Sequence, residues 1–455
     1  MAIESVNPTT GEVLEKFEEW DIAKIDETLE QVDQAYSSWR KTPWDERRRL
    51  MKKAAQVLRE RREDYAGTMT LEMGKPIRDA RAEVEKCALC CDYYADHAES
   101  ILAPEPIESD ATRSYVRFDP IGTVLAVMPW NFPFWQVFRF AVPTLMAGNT
   151  GVLKHASNVP RCALQIEEVF RISGFPDHVF RTLMIGSGKV ASVIKDDRIK
   201  AVTLTGSEQA GQRVAERAGS QIKKTVLELG GADPFIVLAD ADMDQACIVA
   251  AQARNVNSGQ SCIAAKRFIL EKPIAGEFLR RFKGTMESFV MGDPLDEKTQ
   301  IGPQARRDLR DQLHEQVMLS VKAGARLVTG GVIPSGPGAF YPPTILADVT
   351  PGMPAYHEEI FGPVASVITA KDAEEALQIA NDTHYGLGAS IWTSDTEKAE
   401  SMAARIDAGM VFINGPVKSD PRLPFGGTKS SGYGRELSHY GIKEFVNVKT
   451  VWVKG

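Results

Sequence analysis

No apolar run in this chain approaches the roughly 20 residues that a membrane-spanning helix requires, and Met1–Pro8 offers no basic flank leading into an apolar stretch. Cysteine is scarce: Cys87, Cys90, Cys91, Cys162, Cys247 and Cys262 are too sparse and irregular in 455 residues for a disulfide framework. Long basic runs are missing, and 54 Lys and Arg against 61 Asp and Glu leave a formal charge of −7. That balance argues against nucleic acid and anionic membranes as main partners. None of the seven histidines stands in H-E-x-x-H or a comparable cluster, so no catalytic metal is expected. G-x-S-x-G is absent, which removes the serine hydrolases. What remains is the expectation of a soluble protein of the reducing cytoplasm. At this length one core is too large, so two lobes and a small appended element are expected.

The first hundred residues read as helical. Ile25, Leu29, Val32, Tyr36 and Trp39 recur at steps of three and four behind Asp21, a candidate cap, and Leu50, Ala54 and Val57 begin a second stripe. A third helix is predicted from about Ile77 to Leu102; its C-x-x-C at Cys87 and Cys90 has no companion ligands and reads as helical thiols. From Thr112 the period changes. Strands are predicted at Ser114–Phe118, Thr123–Met128, Gly151–Lys154, Val179–Met184 and Ala201–Thr205, alternating with helices. A second series follows at Pro234–Leu238, Arg267–Leu270, Arg326–Val328, Ala389–Trp392 and Val411–Asn414. Such alternation is the mark of an α/β chain with parallel sheets covered on both faces. Leu229-Gly230-Gly231 separates the two series as a candidate hinge. The tail from Phe445 to Val453 alternates like a strand without a local partner, which predicts pairing with another subunit.

Three segments carry candidate chemistry. Asn257-Ser258-Gly259-Gln260-Ser261-Cys262 sets a thiol in a glycine-containing loop, either a nucleophile or a buried structural cysteine. Val226-Leu227-Glu228-Leu229 surrounds a carboxylate with apolar residues, which would raise its pKa toward that of a general base; a salt-bridged strand end is the alternative. Met128-Pro129-Trp130-Asn131-Phe132-Pro133 ends a buried strand with an amide, either a donor to an oxyanion or a turn Asn.

With the motifs P-W-N-F-P, L-E-L-G-G, G-Q-x-C, E-E-I-F-G-P and P-F-G-G-x-K-x-S-G in one order, the chain resembles the NAD(P)-dependent aldehyde dehydrogenases over essentially its whole length. The resemblance implies two doubly wound parallel-sheet domains, a Rossmann-type cofactor domain (1–107 and 122–229) and a catalytic domain (230–435). A small β element (108–121 and 436–455) would serve oligomerisation into a homodimer or homotetramer. It implies Cys262 as nucleophile, Glu228 as base, and Asn131 with the Cys262 N–H as oxyanion donors. Cofactor contacts are implied at Trp130, Lys154, Ser157, Gly206, Ser207, Leu229, Glu359 and Phe361, with Glu358 a structural neighbour. Gly186-Ser187-Gly188 matches a dinucleotide fingerprint, but no acid ends a following strand. The Thr205-Gly206-Ser207 turn, opening a helix, is therefore the preferred pyrophosphate site, and Gly186 a packing turn near the adenine.

Lys154-His155-Ala156-Ser157 departs from the commoner K-P-x-E: a small neutral Ser with a lysine beside it favours NADP, with NAD weaker. Arg139 resembles the arginine by which semialdehyde dehydrogenases hold a distal carboxylate, and Trp135, Ser261 and Ser419 complete the expected substrate pocket, with Lys418 and Arg422 nearby. Val256 stands where a second arginine is common. The implied substrate is a small ω-carboxy aldehyde, succinate semialdehyde first. Glutarate semialdehyde, an uncharged aldehyde, or a non-catalytic protein on this fold are the alternatives.

Overall fold

The chain begins with a hairpin where helix was expected. In the computed structural model, which describes residues 3–455, β1 (Ile3–Val6) pairs antiparallel with β2 (Val13–Phe17). Four helices follow: α1 (Ile22–Trp39), α2 (Trp44–Glu60), α3 (Arg62–Met73) and α4 (Ile77–Ile101). Asp21 does cap the first, its side chain accepting the Lys24 N–H at 2.8 Å. Gly74 ends α3 in the left-handed conformation, φ 77°, against Pro303. Cys87, Cys90 and Cys91 are all buried in α4 and unpaired.

After β3 (Glu105–Pro106) and β4 (Arg113–Pro120), the first alternating series runs β5 (Thr123–Met128), α5 (Trp135–Met146), β6 (Thr150–His155), α6 (Pro160–Ile172), β7 (Phe180–Thr182), α7 (Val190–Lys195), β8 (Ile199–Thr205), α8 (Glu208–Gly219) and β9 (Lys224–Glu228). These five strands are parallel, in the order β9-β8-β5-β6-β7. The chain moves outward one way from β5 and then the other, so the topological switch lies between β5 and β8. Ligands bind such sheets at the carboxyl ends beside the switch. Those ends lead into Pro129-Trp130-Asn131 and Gly206-Ser207.

The second series comprises β10 (Pro234–Val237), α9 (Met243–Asn255), β11 (Arg267–Glu271), β12 (Arg326–Thr329), β13 (Thr344–Ala347), β14 (Val364–Ala370), β15 (Gly388–Trp392) and β16 (Met410–Ile413). It forms a seven-stranded sheet ordered β12-β13-β14-β11-β10-β15-β16, parallel except for β12. Both sheets are buried on two faces, as the apolar strands require.

The span 230–435 does not stay with one sheet, because β17 (Gly432–Tyr433) returns to the first sheet antiparallel to β9, with Gly432 opposite Glu228. Nor is the tail an orphan: β18 (Val446–Val453) pairs with β4 from Val446–Pro120 to Val453–Arg113. That partner is remote in sequence. The far edge of β18 is open among the described residues, since the three-stranded sheet is ordered β18-β4-β3.

Two buried acids from this helical layer cap the helices that leave β5 and β6. Glu72 accepts the Arg161 and Cys162 N–H groups at 3.0 Å each, and Glu83 accepts those of Phe134 and Trp135 at 2.9 Å each. A carboxylate at a helix N-terminus satisfies orphan donors and opposes the dipole. Lys75, itself buried, pairs with Glu83 and lies 3.9 Å from the Phe132 ring centroid.

Candidate active site

The thiol loop is held by backbone conformations that few residues adopt. Asn257, Ser258 and Gly259 have φ of 53°, 55° and 77° in succession. A Cβ on Gly259 would stand 2.2 Å from the Gly362 carbonyl carbon, so only glycine fits. Side chains compensate the strain: the Ser258 hydroxyl accepts the Gly302 N–H at 2.9 Å, and buried Arg254 donates to the Gly259 carbonyl at 2.7 Å. The Lys266 ammonium donates to the carbonyls of Ser261, Cys262 and Ala264 at 3.1, 2.7 and 3.2 Å. Cys262 thus projects from a frame fixed on both sides. Burial pushes its thiol up to about 12, with Arg139 and Lys266 opposing.

Asn131 is buried and donates one Nδ2 hydrogen to the Gln260 carbonyl at 3.1 Å. Its backbone carbonyl accepts from Asn257 Nδ2 at 2.7 Å, which ties this segment to the thiol loop. The second Nδ2 hydrogen remains to serve an oxyanion. The Pro133 carbonyl of the same motif is held by His155 Nε2 at 2.9 Å, while His155 Nδ1 accepts the Ala156 N–H at 2.8 Å. Those partners require the neutral Nε2–H tautomer, and burial pushes the ring down to about 4.

Glu228 ends β9 with neither carboxylate oxygen hydrogen-bonded. Burial, then the charge of Glu436, raises its pKa well above the ordinary carboxylate range. Glu436 in turn pairs with the Arg139 guanidinium. These three groups form a buried acid–acid–base chain that sequence spacing did not reveal, because Glu436 lies far along the chain.

A cavity of about 320 Å³ opens on Cys262 and is walled by Phe132, Trp135, Gln136, Arg139, Val256, Ser261, Ile263, Val417, Ser419 and Phe425. Arg139, Trp135, Ser261 and Ser419 are therefore brought together; Glu228 and Asn131 lie outside this lining. Arg139, however, carries an internal counter-ion: besides Glu436 it contacts Thr205 Oγ1 at 3.4 Å and covers the Phe425 ring at 4.3 Å. Ser419 Oγ accepts from Trp135 Nε1 at 3.1 Å and from Lys86 Nζ at 2.5 Å. Lys86, absent from the sequence reading, lies 4.2 Å from the Trp135 ring centroid. Burial, then Arg139, lowers its pKa to about 8. Arg422 pairs instead with Asp420.

On the cofactor side, Ser207 caps α8, its Oγ accepting the Ala210 N–H at 3.3 Å, and Gly206 donates to the Glu228 carbonyl at 3.0 Å. In the rival fingerprint, the Gly186 N–H is taken by Glu19 at 3.0 Å. Leu229 packs on Gly211, where a Cβ would meet it at 2.6 Å. Trp130 and Phe361 meet edge to face at 5.8 Å. Glu359 accepts the Gly231 N–H at 3.1 Å and lies 3.6 Å from Lys266, whereas Glu358 accepts from Gln316 at 2.8 Å. A second cavity, about 890 Å³, is lined by Lys154, Ala156, Ser157, Asn158 and Ser187, with Asn7, Pro8 and Arg306–Asp308 opposite. Lys154 is buried there, and burial alone depresses its pKa. No hydrogen bond or ion pair engages its ammonium among the described residues, which suits an anionic ligand group.

A sequence model of the aldehyde dehydrogenase family matches residues 1–451. A protein of Synechocystis described as a probable succinate-semialdehyde dehydrogenase [NADP(+)] is 53% identical, with 100% of each chain covered. A succinate semialdehyde dehydrogenase [NAD(P)+] of Escherichia coli is 50% identical, covering 98% of this chain and 97% of its own. Among solved structures, a succinic semialdehyde dehydrogenase of Streptococcus pyogenes in complex with NADP+ superposes with a TM-score of 0.97 at 41% identity, covering 99% and 100% of the two chains. By motif order, fold and full-length similarity, the chain belongs to the aldehyde dehydrogenase family.

Proposed function

We propose that this chain oxidises a small ω-carboxy aldehyde, succinate semialdehyde first, to the corresponding acid, with NADP preferred over NAD. The observation that carries the reading is the Cys262 cavity. Its volume, about 320 Å³, is at the small end of ligand pockets, and cationic groups share its wall with apolar ones. The relatives named for succinate semialdehyde and NADP(+) support the same choice.

In this reading the Cys262 sulfur adds to the aldehyde carbon, and the carbonyl π pair becomes an oxyanion held by Asn131 Nδ2 and the Cys262 N–H. Hydride leaves the carbon as the C=O bond re-forms, giving a thioester. The nicotinamide, when bound, supplies the acceptor for that hydride. Glu228 then takes a proton from water, the hydroxyl adds to the thioester, and the C–S bond breaks to return the thiolate. Because burial holds the thiol neutral, a base must also remove its proton at the start, and Glu228 is the candidate; it passes that proton to solvent before it takes the one from water. Lys154 and Ser157 would hold the 2′-phosphate, Gly206 and Ser207 the pyrophosphate, Glu359 the nicotinamide ribose, with Trp130, Leu229 and Phe361 packing around the cofactor.

The spans 1–107 and 122–229 serve the cofactor and 230–435 the thiol, β17 excepted. Spans 108–121 and 436–455 serve assembly into a homodimer or homotetramer, supported by the open edge of β18 with Val448 and Trp452 exposed on it. The six unpaired cysteines suit a reducing cytoplasm. Steady-state kcat/KM for succinate semialdehyde, glutarate semialdehyde and butanal with both cofactors tests the reading. Succinate semialdehyde with NADP should lead, and Cys262→Ala should abolish turnover. Equal constants for butanal, or no reduced cofactor with any aldehyde, would refute it.

A further inference from the structure

Behind the thiol loop lies a cation that none of the chemical steps above uses. Lys266 stands just before β11 with its side chain 1% exposed, and its Nζ lies on the carbonyls of Ser261, Cys262 and Ala264 at 3.1, 2.7 and 3.2 Å. Three carbonyl acceptors call for three N–H donors, which an ammonium has and a neutral amine lacks. Burial lowers the pKa of Lys266, and the charges of Glu359, 3.6 Å away, and of Asp233 oppose that. The positive charge is therefore held inside the protein, between a counter-ion on one side and the thiol loop on the other.

One of those carbonyls is joined directly to an oxyanion donor. The Ser261 C=O and the Cys262 N–H belong to a single peptide unit, and it is trans, so the two groups point in opposite directions. The Ser261 oxygen takes a second hydrogen bond, from the Ala264 N–H at 3.2 Å. Lys266 and Ala264 thus draw on one end of the peptide, while the Cys262 N–H at the other end makes no hydrogen bond among the described residues. A peptide whose oxygen is bonded to a cation is more strongly polarised, and its N–H becomes the better donor. Asn131, the companion donor, has no hydrogen bond to its Oδ1, so of the two donors only the Cys262 N–H is strengthened in this way.

We propose that Lys266 is a positioning residue that strengthens the oxyanion hole through the Ser261–Cys262 peptide. The assignment rests on the thiol chemistry given above. When the sulfur adds to the aldehyde carbon, the carbonyl π pair moves onto oxygen, and that charge meets the Cys262 N–H. Lys266 gives up no proton and touches no substrate. Its charge at the far end of the peptide makes the N–H a stronger donor as negative charge grows on the oxygen. Its bonds to the Cys262 and Ala264 carbonyls hold the same turn in place.

Two second-order rates at Cys262, measured on the full-length enzyme with NADP+, separate this role from a structural one. The first-turnover burst of reduced cofactor with succinate semialdehyde below saturation builds an oxyanion. Alkylation by iodoacetamide, in which sulfur displaces iodide, builds none. Both need the same thiolate and the same access, so their ratio at one pH cancels those requirements. Lys266→Gln keeps donors and loses the charge; Lys266→Arg keeps the charge. A donor weakened and not removed should cost less than the roughly 10²–10³ of a lost oxyanion donor, so the burst should slow about tenfold in Lys266→Gln. Alkylation should be unchanged, and Lys266→Arg should restore most of the burst. Parallel falls in both rates, or an unchanged burst, would overturn the assignment and leave the thiol mechanism intact. A wild-type enzyme with no burst overturns the mechanism and the assignment together. A second measurement needs no variant. Ser–Cys occurs once in the sequence, so isotope labelling of serine carbonyl carbons and cysteine nitrogens isolates one peptide resonance. The Ser261 carbonyl should lie at high frequency, beyond the ordinary serine range; a value inside that range would overturn the proposal even if Lys266→Gln fails to fold.

Discussion

Removing the Glu83 carboxylate should loosen the oxyanion loop from a position that touches no substrate. In Glu83→Ala, the Phe134 and Trp135 N–H groups at the start of α5 lose their shared acceptor, each bond being 2.9 Å. Lys75, whose side chain is 1% exposed, is left as a buried ammonium without its partner. Breaking a buried pair from one side costs about 3–5 kcal/mol. The double variant Lys75→Met/Glu83→Gln removes both charges while the Gln oxygen can still accept the two N–H groups, so most of that loss should be recovered. Asn131 lies just before these donors, and displacing it withdraws an oxyanion donor worth up to roughly 10²–10³ in kcat. Denaturant midpoints, amide exchange at Phe134 and Trp135, and kcat measured on Lys75→Met, Glu83→Gln and their double form one cycle beside Glu83→Ala. A Glu83→Ala cost below about 1 kcal/mol, or a double variant equal to the sum of the singles, would refute the account.

Glu228→Gln should retain a first-turnover burst of reduced cofactor while steady-state turnover falls, if water activation is its main task; a burst slowed equally would place Glu228 at thiol activation. Since burial and Glu436 raise the Glu228 carboxyl, the base form appears only as pH rises past that elevated pKa. The wild-type kcat should therefore climb toward alkaline pH, and a flat profile that Glu228→Gln does not alter would contradict this. Ser157→Glu should set a carboxylate beside Lys154 and against a 2′-phosphate, lowering the NADP-to-NAD ratio of kcat/KM by about tenfold to hundredfold. An unchanged ratio would show that Ser157 does not face the 2′ position.

Strands buried on two faces were legible because a parallel strand must be apolar throughout: Thr123–Met128 was read with the bounds it has, and Pro234–Val237 within one residue. Val364–Ala370 was missed although it obeys the same rule. The hairpin β1–β2 was missed because its strands are short and half exposed. The tail's alternation was read correctly, but its partner could not be, since β4 lies more than 300 residues away and nothing in either strand encodes that distance. The site divides in the same way. Cys262, Asn131 and Glu228 sit in motifs with local signatures. Glu83, Lys86, Lys75 and Glu436 are charges on segments that look like solvated helix or loop, and only the packing of α4 against α5 and the return of the chain past β17 turn them inward.

The chain crosses between its two sheets twice at nearly the same place. It leaves at Leu229-Gly230-Gly231 and comes back along β17. The crossings are laced by the Leu229 N–H to the Ser431 carbonyl at 3.0 Å and by the Ser431 hydroxyl to the Gly230 carbonyl at 2.6 Å. Glycine at 432 permits this closeness, since a Cβ there would stand 1.9 Å from the Leu227 carbonyl oxygen. Two strips fastened side by side bend like a strap but resist torsion. Glu228 sits at the fastening, opposite Gly432, so its backbone is held by both strips at once and cannot turn with either one alone.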